Sequence, residues 1–272
     1  MAKSQLACIW CLKIGRKSKE HIVAEVLGCP PGFVLKHGDV SAACNSRLAP
    51  LDAVLAQSFD FLRVWAGIPG KKHKSPRITG RTNVRGSITR KSHMELHFNM
   101  GSHAVDTKAF GRIPAVSDSQ RDVRASFEVI GTVAQAKMKF TLGDHPHFSR
   151  AIHKIAFERL LKLTSWEHLL EKKFDPVRQY VMNGTGHREV LVLKPQEWRY
   201  YHDFPNSVWH DEEGSPSVEF ILCGIPFVVG LGPDQRMIEK IKREAFRIYG
   251  ANGWAYLPVT LNASARSLES AE

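Results

Sequence analysis

Three thiols and one acid–base pair near the start of the chain have the types and spacing for chemistry. Cys8-Ile-Trp-Cys11 sets two thiols a short turn apart, and a third follows at Cys44 within Ala43-Cys44-Asn45-Ser46. Paired C-x-x-C spacing is what zinc sites use, because two thiolates so placed can close on one ion. Between the two halves stands Glu20-His21-Ile22-Val23. Histidine is the side chain whose ordinary pKa lets it exchange protons near neutrality, which suits a general base. Carboxylate and amide oxygens, such as those of Glu20, Asn45 and Asp52, are ligands for a hard divalent cation.

In order, Cys8, Cys11, Glu20, His21, Ile22, Leu27, Gly28, Cys44, Asn45 and Asp52 follow the pattern C-x-x-C, E-H-I, L-G-G, C-x-x-C-N, D. Residues 6 to 60 thereby resemble the cysteine-framed subgroup of the HNH, or ββα-metal, nucleases. The resemblance implies a zinc knuckle, two short strands and a helix starting near Cys44. It implies hydrolysis of a phosphodiester, with His21 as general base activating water and His37 orienting that base. A magnesium or manganese ion would be held by Glu20 and Asn45, with Asp52 on the same helix face. Such proteins are typically bacterial or phage-encoded and act in restriction, defence or mobile elements.

One position departs from the pattern. Where a cysteine is expected at 41, the chain has Ser41. A structural zinc wants four ligands, and Cys8, Cys11 and Cys44 supply three. Cys29 is the expected fourth. His37 and Ser41, the latter through its hydroxyl or a bound water, are alternatives, and a vestigial knuckle without zinc is another.

The charge distribution points to a polyanionic partner. The chain has 272 residues and a formal net charge of +11. Residues 61–112 hold 11 Lys/Arg against 2 Asp/Glu, while residues 113–272 hold 20 of each. Lys71, Lys72, Lys74, Arg77, Arg81, Arg85, Arg90 and Lys91 form the basic run, and Gly80 and Gly86 argue for loops or short strands there. A basic stretch directly after a nuclease-like motif reads as a phosphate-binding extension, for double-stranded DNA first, with RNA left open. No apolar run reaches membrane-spanning length and the N-terminus lacks an apolar signal core, so a cytoplasmic protein is expected. In a reducing compartment the cysteines read as metal ligands rather than disulfides.

The elements that must position these groups follow from periodicity. Leu48, Leu51, Val54, Leu55, Phe59 and Leu62 recur at helical spacing. Residues 93–100 alternate as a half-buried strand, and strands are expected over 125–133, 137–142, 189–193, 218–223 and 225–231. Ile152, Ile155, Ala156, Leu160 and Leu163 define an amphipathic helix over 148–163, on which His153 reads as a surface residue. Helices are also expected over 166–173, after Pro176, and over 235–249, followed by a frayed tail. Together these predict an α+β protein: an HNH module at 1–60, a basic extension at 61–112, an α+β domain at 113–262 and a tail at 263–272. The function expected is an HNH endonuclease. The rival is a non-catalytic zinc-ribbon nucleic-acid binder or regulator.

Overall fold

The computed structural model describes residues 7–36, 38–66, 68, 77–78, 85–90, 94–99, 124–130, 133–195 and 199–266. After a single 3-10 turn at Glu25–Leu27 come helices α1 (Ala42–Ser58) and α2 (Asp60–Trp65). Strands β1 (Arg77–Ile78), β2 (Arg85–Arg90) and β3 (Met94–Asn99) pair as one antiparallel sheet. Strands β4 (Arg124–Ile130) and β5 (Val133–Leu142) begin a second. Helices α3 (Phe148–Leu163), α4 (Trp166–Leu169) and α5 (Asp175–Asn183) follow. The chain then runs through β6 (Leu191–Leu193), β7 (Trp209–His210), β8 (Pro216–Leu222), β9 (Ile225–Gly230), α6 (Arg236–Tyr249), β10 (Trp254–Tyr256) and β11 (Val259–Arg266). The largest sheet is antiparallel in the order β10-β6-β9-β8-β7. The protein is α+β, as expected. No helix among the described residues is long and apolar enough to cross a membrane.

Helix α3 is the axis of the packing. Its expected apolar stripe is buried, and so are His153, Lys154 and Glu158, each at 0% exposure. Helices α1 and α5 and the β8–β9 hairpin all pack on it, which leaves no solvent face over most of its length. A helix partnered on every side buries its polar positions too, so the expectation of His153 at the surface is corrected. Burial pushes the His153 imidazole down to about 3, so the ring is neutral, with Nδ1 2.8 Å from the Ser149 carbonyl.

Helix α1 starts at Ala42 because Ser41 caps it: Ser41 Oγ accepts from the Cys44 N–H at 3.3 Å. Cys44, Leu48, Leu51 and Leu55, spaced four, three and four apart, are its buried stripe. The two strands expected ahead of it are reduced to isolated antiparallel bridges, Lys17↔Ser41 and His21↔Val34. The Pro30-Pro31 pair interrupts any longer ladder, since proline has no N–H to donate. The helix expected over 166–173 splits into α4 and a 3-10 turn at Lys172–Phe174.

Near the C-terminus the first residues of the expected frayed tail form a strand, and residues 267–272 lie outside the described residues. Strand β11 pairs with β5 from Val259↔Leu142 to Arg266↔Gln135. At the other hairpin, β8 and β9 are joined by the two residues Cys223 and Gly224, with φ of 52° and 78°. Two consecutive positive φ values match the right-handed twist of the flanking strands. Cys223 tolerates this conformation because its N–H donates to His202 Nδ1 at 3.2 Å. The His202 Nε2–H therefore faces the Leu27 carbonyl, 2.7 Å away, and the Tyr200 hydroxyl donates to the same oxygen at 2.9 Å.

Residues from the first 62 positions and from 142–261 share one continuous hydrophobic core. A chain of rings runs through it: Phe59, Phe148 and Phe227 have centroids 5.7, 6.4 and 6.5 Å apart. It continues through Phe220 and Phe204 to Phe33, whose centroid is 4.4 Å from that of Phe204. Phe148→Ala should therefore cost about 3–5 kcal/mol of stability, read from the midpoint shift in guanidinium unfolding. A loss below about 1 kcal/mol would mean that the ring junction repacks around the cavity.

Candidate metal centre and buried ion network

The knuckle is a tight turn. Leu12 N–H donates to the Cys8 carbonyl at 2.8 Å, Cys8 N–H to that of Lys13 at 3.0 Å, and Leu12 takes φ 59°. Ile9 N–H reaches the Asp39 carbonyl at 3.0 Å and anchors the turn beside the start of α1. The result brings Cys8, Cys11 and Cys44 together, with their sulfurs all within 4.8 Å of one another. Cys8 and Cys44 are buried and Cys11 is half-buried. Cys44 donates to Cys8, and backbone N–H groups of Ser41, Cys11 and Trp10 assist against burial, so the Cys8 thiol is held down at about 4. The same pairing, with burial, pushes Cys44 up. The arrangement favours a thiolate at Cys8 over one at Cys44.

These donors fit a thiophilic ion such as zinc. Tetrahedral thiolates about 2.3 Å from zinc lie roughly 3.8 Å apart, a separation compatible with sulfurs all within 4.8 Å of one another. Zinc held by Cys8, Cys11 and Cys44 would relieve the mutual repulsion of the thiolates and tie the knuckle to α1. Cys29, the expected fourth ligand, is elsewhere. Its sulfur lies 3.6 Å from the carbonyls of Pro30 and Phe33, and burial pushes its thiol up. His37 lies outside the described residues.

The carboxylates expected to hold a catalytic ion are gathered around a different cation. Lys154, at 0% exposure, places its ammonium 2.6 Å from Glu20 Oε1, 3.1 Å from Asp52 Oδ1 and 3.5 Å from Glu158 Oε2. Trp10 Nε1 donates to Glu158 Oε1 at 3.1 Å. Burial alone would discharge the lysine, but the three carboxylates outweigh it and hold the ammonium above its ordinary value. Burial pushes Glu20 up, and pushes fully buried Glu158 well above the carboxylate range. Of the three carboxyls Glu158 is the most deeply buried, so it holds a proton most readily. A magnesium or manganese ion does not fit at Glu20, because the lysine already neutralises that oxygen.

Asn45 does not join them. Its Nδ2 donates to the Lys19 carbonyl at 3.0 Å, which ties the first turn of α1 to the backbone just before Glu20. His21 faces the other way from buried Glu20, as alternation along an extended segment requires. Its imidazole is 24% exposed, with Nε2 3.1 Å from Glu25 Oε1. Of the basic run, Arg77, Arg85 and Arg90 lie on β1 and β2, whereas Lys71, Lys72, Lys74, Arg81 and Lys91 lie outside the described residues.

Sequence reasoning missed Lys154, Glu158 and the polar role of Trp10. The signal available was the i, i+4 spacing of Lys154 and Glu158, which on an exposed helix is an ordinary surface pair. No protein-family model, no curated protein and no solved structure matches the chain. What the fold and site define is an α+β protein with a three-thiol centre and a buried lysine–carboxylate network.

Lys154→Met should destabilise the protein by about 3–5 kcal/mol, because it strands buried carboxylates. A change under about 1 kcal/mol in urea unfolding would show that the carboxylates are already neutral. The pH dependence has a definite sign. Folded Glu158 retains a proton that the unfolded glutamate, with a pKa of about 4.3, releases. Its stabilisation is complete below that value and is lost as pH rises toward the folded pKa. Tm should therefore fall as pH rises above the unfolded glutamate's range, and fall less in Glu158→Gln, which keeps an acceptor for Trp10. Equal slopes would mean that Glu158 is ionised in the fold.

Proposed function

We propose that the chain is a nucleic-acid phosphodiester hydrolase of the cysteine-framed HNH type, with His21 as general base. The observation that carries this reading is the placement of His21. An accessible imidazole with a carboxylate at 3.1 Å stands on a segment pinned on both sides. The His21↔Val34 bridge holds it from one direction, and the Asn45 amide grips the Lys19 carbonyl from the other. A histidine so oriented can accept a proton from water as the water attacks phosphorus and the bond to the sugar oxygen breaks, that oxygen taking a proton from solvent, with Glu25 stabilising the imidazolium that forms. The basic surplus of residues 61–112 supplies the attraction for a polyanionic backbone. Asn45 acts here as a positioning residue, and Glu20 as a structural one.

A second reading is favoured by one specific observation. The Lys154 ammonium fills the position between Glu20 and Asp52 where a hydrolytic ion would be needed. On that reading the protein is a non-catalytic nucleic-acid binder built on the same knuckle.

Plasmid nicking decides between them, run on wild type and His21→Ala, with magnesium, with manganese and with EDTA, beside a binding assay on the same DNA. Hydrolysis by wild type that drops about 100- to 10,000-fold in His21→Ala, with binding kept, is expected. Retained cleavage in His21→Ala would remove His21 from the chemistry. Binding without cleavage in either protein would establish the second reading.

A further inference from the structure

We propose that the three-thiol centre binds its metal with one coordination position left for a small donor from outside the chain. The site is then an open, ligand-accepting one: water occupies it at rest and a low-molecular-mass thiol can replace that water. This rests on the thiols alone and holds whether or not the chain cleaves nucleic acid.

The donor count is the first observation. Cys8, Cys11 and Cys44 converge, and among the described residues no further histidine, cysteine or carboxylate joins them. The six residues before Ala7 contain no such side chain either. Closed structural zinc sites have four protein ligands, whereas sites with three keep the fourth position for water or substrate.

The role of Ser41 is the second. It occupies the sequence position where the C-x-x-C pattern ending at Cys44 would have its other thiol, and its oxygen is already engaged. Oγ accepts the Cys44 N–H at 3.3 Å, and the hydroxyl lies within hydrogen-bonding reach of the Cys44 sulfur. Used as helix cap and as donor to a ligand sulfur, the Ser41 oxygen has its hydrogen bonds taken up within the chain and supports the ligand rather than binding the ion. It is also held in place: a Cβ built on Gly15 would lie 3.1 Å from the Ser41 Cβ, and Ala42 N–H bonds to the Arg16 carbonyl at 2.7 Å. Ser41 is 5% exposed.

Access is the third observation. Cys8 and Cys44 face the core, whereas Cys11 is half-buried next to exposed Leu12 and Lys13. A ligand from solvent reaches the ion over the Cys11 edge. The exchange is simple: the incoming thiol gives up its proton to solvent, its sulfur bonds to zinc, and the water leaves. A soft thiolate is favoured over hard oxygen donors on an ion already carrying three sulfurs.

The test is X-ray absorption on the full chain loaded with zinc chloride in thiol-free buffer, before and after adding 2-mercaptoethanol. Wild type should show three sulfurs and one oxygen or nitrogen, becoming four sulfurs with the thiol. Ser41→Cys should show four sulfurs from the start and no response. Ser41→Ala should keep the three-sulfur shell and the thiol response, with zinc affinity about 10- to 100-fold weaker. His37→Ala should match wild type. Four sulfurs in untreated wild type, an imidazole lost in His37→Ala, a shell indifferent to the thiol, or no retained zinc would each overturn the proposal.

Discussion

One ammonium group inside the protein sets the terms for everything around it. Lys154 lies at the centre of α3, out of contact with water, with Glu20, Asp52 and Glu158 about it. Desolvating such a charge is costly, and only close opposite charges offset it. The carboxylates come from three places: the segment before the 3-10 turn, helix α1, and the next turn of α3. Removing the lysine would leave the buried carboxyls without their counter-charge. The early part of the chain is thus fastened to the middle helix by electrostatics as well as by apolar contact.

The same region grips the knuckle. Trp10, between Cys8 and Cys11, donates to Glu158. Arg178 on α5 donates to the Ile9 carbonyl at 2.9 Å, and Trp166 to that of Ala7 at 2.8 Å. The backbone of the knuckle therefore has its carbonyls satisfied by side chains more than 150 residues away. A short, turn-rich segment of this kind has little regular structure to hold it, and these long-range donors supply what a ladder of strand hydrogen bonds would otherwise provide. The chemistry of the thiol centre and the ionisation of the network are consequently neighbours, joined through one indole ring.

Much of the regular structure was legible because it rests on local periodicity. The stripe of Ile152, Ile155, Ala156 and Leu160 located α3 at 148–163, and the apolar runs about Gly224 located β8 and β9. What periodicity could not convey was how many neighbours an element has. His153 and Lys154 occupy positions that would be solvated on a helix with one partner, and they are buried because α3 has three. The residues after Leu261 lack a strong apolar pattern, and their strand exists because β5 offers an edge.

The sequence by itself determined that thiols at 8, 11 and 44 have the types and spacing to share one ion, since cysteine type and spacing carry that information locally. Only the tertiary structure decided that Cys29 stays with its own turn, that Asn45 grips a backbone carbonyl, and that Glu20 and Asp52 meet a lysine. A side chain's type states which partners it can accept. Which partner arrives depends on contacts between residues more than a hundred positions apart, and those are set by the packing of whole elements around α3.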